Sequence, residues 1–79
     1  MTMNVHDDDE LVGTALIGAT DEEARAIVER LLDAAGIEHF IEGSVVYSVQ
    51  VRPRDLVRAR EILRSSTELK GHWIQFPVE

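Results

Sequence analysis

The chain contains no cysteine among its 79 residues. That excludes disulfides, thiolate nucleophiles, iron–sulfur clusters and cysteine-ligated zinc, and leaves the redox compartment unmarked. Aromatic residues are scarce at 5%, and there are only two prolines. Basic side chains are outnumbered, eight Lys and Arg against 15 Asp and Glu, and the formal charge of −7 argues against nucleic acid as a partner. No apolar run approaches the ~18 residues of a membrane span, so no membrane partner is expected. The opening MTMNVHDDDE has neither a basic n-region nor an apolar h-region, so no secretory signal is read there and a cytoplasmic location is expected. What is present, 44% hydrophobic and 29% charged residues, is the ordinary balance of a globular domain. At this length a single domain with a small core is expected, one that invites a second subunit to cover what it leaves open.

The charge is uneven. Residues 1–43 carry eleven acids against two arginines, whereas residues 44–79 carry four acids against six basic residues. The run Asp7-Asp8-Asp9-Glu10 lies in a stretch without periodicity, so residues 1–9 read as a mobile acidic tail. His6 beside these aspartates is a poor metal site, because ligands on a flexible tail are not held in place. No metal and no cofactor are expected.

The periodicity then organises the chain. Leu11 to Ile17, apolar with Val, Thr and Ile, reads as a strand that Gly13 weakens. Thr20-Asp21-Glu22-Glu23 fits a capping box with Thr20 as the N-cap. Ala24, Ile27, Val28, Leu31, Leu32 and Ala35 follow at helical spacing, and Gly36 is placed to stop the helix. Ile37–Ile41 reads as a strand, Gly43-Ser44 as a two-residue hairpin turn, and Val45, Tyr47, Val49 and Val51 as the apolar face of the returning strand. Pro53 opens a second helix whose stripe is Leu56, Ala59, Ile62 and Leu63, ending at Ser65-Ser66. The expected domain spans residues 10–71. Residues 72–79 form a C-terminal tail that is either a fourth strand beside the first or a segment docking on another subunit.

Strand, helix, hairpin, helix implies an α+β sandwich of the ferredoxin-like βαββα(β) kind, one antiparallel sheet with both helices on one face. The predicted core sets Val45, Tyr47, Val49 and Val51 against Ile27, Leu31, Leu56, Ala59 and Leu63.

Several stretches resemble a known family: Ala24 through Leu32-Asp33-Ala34-Ala35-Gly36-Ile37, then Phe40, Glu42-Gly43, Val49-Gln50-Val51, Asp55 and Ala59-Arg60-Glu61-Ile62-Leu63. They are similar to small prokaryotic domains described as signal-transducing proteins and formerly classed as a domain of unknown function. The resemblance covers roughly residues 11–64 and implies a ferredoxin-like, PII-like unit with no catalytic residues. PII-type regulators use a long loop between the second and third strands. Here that connection is Gly43-Ser44, so the resemblance implies the fold without that loop's mechanism.

No phosphate-binding glycine loop, dinucleotide fingerprint or nucleophile elbow is present, and His6, His39 and His72 fall in different elements without metal-ligand spacing. The chain is therefore expected to be non-enzymatic: a regulatory or protein-interaction domain that forms homo-oligomers through its sheet face or edge, with an unidentified protein partner. Trp73, Ile74 and Phe76 are the interface candidates, and Trp73→Ala should cost roughly 2–4 kcal/mol if the ring is buried. The alternative is a sensor of an anionic small molecule. In the ferredoxin-like plan the first and third strands are expected to be parallel neighbours, so both helices start at one end of the sheet. Gly18 and Thr20 would then face Arg52 and Arg54 across an anion site.

Overall fold

The computed structural model describes residues 10–77. The expected tail at residues 1–9, with His6 and its aspartates, lies outside them. The elements are β1 (Val12–Gly18), α1 (Glu22–Ala34), β2 (His39–Gly43), β3 (Val46–Val51), a 3-10 turn at Pro53–Asp55, α2 (Leu56–Arg64) and β4 (Ile74–Gln75). They make an α+β fold with one four-stranded antiparallel sheet, in the order β2-β3-β1-β4, and two helices.

Strand β1 is not a simple alternation. The register with β3 shifts between Gly13 and Ala15, and Thr14 is the extra residue. Thr14 and Ala15 are consecutive and both fully buried. The bulge therefore turns Val12, rather than Gly13, toward the core beside Val51. Gly13 is the local weakness that makes an irregular ladder affordable here.

Helix α1 starts one residue later than the capping-box reading. Asp21, not Thr20, is the N-cap, and its Oδ1 accepts the Ala24 N–H at 3.0 Å. A turn closed by the Asp21 N–H onto the Gly18 carbonyl, at 3.1 Å, precedes it. A carboxylate also meets the positive end of the helix more strongly than a hydroxyl does. Ala24, Ile27, Val28 and Leu32 are buried along one face. Gly36, at φ +72°, ends the helix as expected. The Ile37 N–H then bonds back to the Leu32 carbonyl at 2.9 Å, which completes the left-handed stop. That bond engages Ile37 in the helix end, so β2 begins at His39 rather than at Ile37.

The hairpin turn also differs from its expected position. Gly43 pairs with Tyr47, so three residues, Ser44, Val45 and Val46, separate the paired strands, and Val45 is 82% exposed instead of in the core. Tyr47, Val49 and Val51 do face the helices, with Val49 and Val51 fully buried. Helix α2 ends at Arg64, as the serines predict, and the Ser65 hydroxyl bonds back to the Glu61 carbonyl at 2.8 Å. The segment after it returns Leu69 to the core and reaches β4, where Ile74 pairs with Ile17.

β1 and β3 run antiparallel, not parallel. Each is followed by a helix, so the two helices start at opposite ends of the sheet.

Candidate functional site

That antiparallel pairing separates the proposed anion site. Gly18 lies opposite Val46, whereas Val12 lies opposite Val51 at the other end of the ladder. The Gly18–Thr20 turn and the Arg52–Arg54 turn are thus a strand length apart, roughly 17–20 Å. Gly18 and Thr20 flank the start of α1, where Asp21 already occupies the first turn. Arg52 bonds the Glu38 carboxylate at 3.2 Å and lies 6.0 Å over the Phe40 ring. The structure does not bring these four residues together into one site.

The three C-terminal residues separate as well. Ile74 is in β4 and packs against the core in cis. Phe76 is half-buried against the same core, with the Arg64 guanidinium 5.1 Å over its ring. Trp73 stays 52% exposed. Because about half of the residue is already in water, Trp73→Ala is expected to cost about 1 kcal/mol or less, not the 2–4 of a buried ring. Urea unfolding followed by circular dichroism measures it, and a loss above 2 kcal/mol would place the ring inside the fold.

The feature that remains is the side of the sheet opposite the helices. Alternate strand residues point to opposite faces, and the register fixes which share this one. One row runs Phe40, Gln50, Gly13, and the next Glu42, Ser48, Leu16, Gln75. Val46 and Gly18 form a third. A Cβ built on Gly13 would lie 3.5 Å from the Ser48 hydroxyl, which confirms that these two are neighbours on one side. None of these residues is buried, and Phe40 is 44% exposed. Glu42 is the single charge within these rows. The Arg52–Glu38 ion pair borders them beside Phe40. This gives a shallow surface of glycine, serine and amide side chains carrying Leu16, Phe40 and Val46, with charge at its rim. Neutral cores with polar rims are the usual anatomy of a protein–protein interface.

Another cluster went unnoticed in the sequence. His72 Nδ1 is 2.7 Å from Asp21 Oδ2, and its Nε2 is 3.8 Å from Glu23 Oε1. The hydrogen bond to Asp21 raises the His72 pKa above its ordinary 6.5, with the negative charges of Asp21 and Glu23 adding to it and partial desolvation opposing. The same bond, with the Ala24 N–H, lowers Asp21 below 3.8. The partners are 51 residues apart, a separation that no local spacing rule reaches. His39, by contrast, is a packing residue whose Nδ1 lies 3.0 Å from the Ile37 carbonyl. Among the described residues no group of His, Asp and Glu is arranged to hold a metal ion, and no helix is long and apolar enough to cross a membrane.

No family model, no curated protein and no solved structure matches the chain.

Proposed function

We propose that this chain is a non-enzymatic regulatory or protein-interaction domain of the signal-transducing kind, ferredoxin-like in topology, that self-associates through the open face of its sheet. The strand order, with a helix after each of the two central strands, supports the topology. The observation that carries the function is the composition of the open face. A chain with 29% charged residues exposes one strand surface whose rows hold only Glu42 as a charge and present Phe40 to solvent. A second copy is the occupant that fits. The face is small and nearly neutral, and two such faces stack about 10 Å apart without opposing the −7 charge that each copy carries mostly elsewhere.

Two exposed apolar residues separate this from general stickiness. Phe40 lies on the open face, and Val57, 64% exposed, lies on α2. Phe40→Glu is expected to weaken self-association at least about tenfold, because it replaces the exposed aromatic of the face with a charge that must be desolvated in the contact. Val57→Glu should leave association unchanged. Size exclusion with light scattering measures both, and equal behaviour of the two variants would count against the open face.

A further inference from the structure

We infer that His72 is a pH-responsive latch that fixes the C-terminal strand to the sheet through the cap of α1. The geometry is specific. Asp21 uses Oδ1 to cap the helix and Oδ2 to hold His72, so one carboxylate joins the start of α1 to the residue two positions before β4. The ladder it secures is short. β4 is two residues long and pairs only with Leu16 and Ile17. Ile74 and Phe76 are half-buried, and Trp73 between His72 and Ile74 is largely outside. A two-residue ladder is weak alone, so the latch adds to the packing of Ile74 and Phe76 in setting how often the strand lifts.

The charges facing the imidazole are Asp21 and Glu23 from α1, with Lys70 from the preceding turn and Arg64 from α2 around the same hollow. Among these side-chain types imidazole is the one whose ordinary pKa lies in the neutral range, so His72 is the group that makes the cluster pH-responsive. The raised His72 pKa means its stabilisation is complete below 6.5 and is lost as the pH rises through the higher folded-state value. The lowered Asp21 pKa means its share is present above 3.8 and is lost as the pH falls through the lower folded-state value. The latch is therefore strongest between these limits and slackens on the alkaline side. There a neutral imidazole still donates one hydrogen bond but no longer carries the ion pair.

This does not depend on self-association, and the test is run at a concentration where the chain is monomeric. Amide hydrogen exchange by NMR, corrected for intrinsic rates, should show protection of the β4 amide that faces β1 falling about threefold from pH 5.5 to 8.5, while Val49 in the β1–β3 ladder stays constant. The midpoint should coincide with the His72 imidazole titration, and that midpoint should lie above 6.5. His72→Gln should make the β4 protection flat with pH while the far-ultraviolet spectrum is kept. A His72 midpoint at or below 6.5, or an unchanged pH dependence in His72→Gln, would overturn the latch.

Discussion

Ile17→Ala should lower the stability of the domain by about 2–5 kcal/mol, the usual range for truncating a fully buried isoleucine. Ile17 is 0% exposed and sits at a crossing point of the sheet, paired with Tyr47 of β3 on one side and Ile74 of β4 on the other. Its loss removes apolar burial and leaves a cavity under both helices, in the cluster that includes Val28, Leu32 and Leu63. A domain of this size has a total stability of only about 4–12 kcal/mol. The variant should therefore unfold at much lower urea, or be partly unfolded in buffer. A midpoint shift worth less than 1 kcal/mol would mean that the core is not organised around β1.

Gly43→Ala should be nearly as severe, for a different reason. Gly43 has φ +143°, a conformation that side-chain-bearing residues rarely adopt. A Cβ there would fall on the Val46 carbonyl oxygen and lie 3.1 Å from the Val46 carbonyl carbon and 3.2 Å from Tyr47 Cα. All of these are backbone atoms, so nothing can rotate away and the hairpin itself must shift. Backbone strain alone contributes about 1–3 kcal/mol, and the clash adds to it. Gly36 is the control. It also has a positive φ, +72°, but open space around its Cβ position, so Gly36→Ala should cost only about 1–2 kcal/mol. Thermal unfolding of the two variants side by side measures the difference. Equal losses would show that the steric contact at the hairpin is relieved by local movement.

The parts of the fold that were legible in the sequence are those fixed by local physics. The apolar face of α1, its stop at Gly36, the existence of the hairpin, the helix after Pro53 and its early end at the serines all follow from spacing and backbone preference. The errors occurred where a tertiary partner chose between local options. Thr20 and Asp21 are both good caps, and the turn onto Gly18 together with His72 selects Asp21. Gly43-Ser44 reads locally as a two-residue turn, but the pairing of Ile41 with Val49, which places both on the core face, leaves three residues, Ser44 to Val46, between Gly43 and Tyr47. The bulge at Thr14 left no sequence sign beyond Gly13. Leu69, 4% exposed in a stretch of poor helix formers, could not be placed by periodicity at all.

The candidate sites were less legible than the fold. The anion site failed on one error of strand direction, because a parallel β1–β3 pair would have brought its two halves together. Large aromatics are buried on average, which favours a buried Trp73, yet β4 begins only after it. The sequence points to the sheet face or edge as the association surface but not to the residues that line the face. Its neutral rows become visible once the register shows which residues of β2, β3 and β1 lie side by side.

Self-association through that face is the central claim, and sedimentation equilibrium of the full chain over a micromolar to high-micromolar series tests it most directly. The account predicts a weight-average mass that rises with concentration from 8.9 kDa toward twice that value. A mass that stays at 8.9 kDa across the whole series would contradict it.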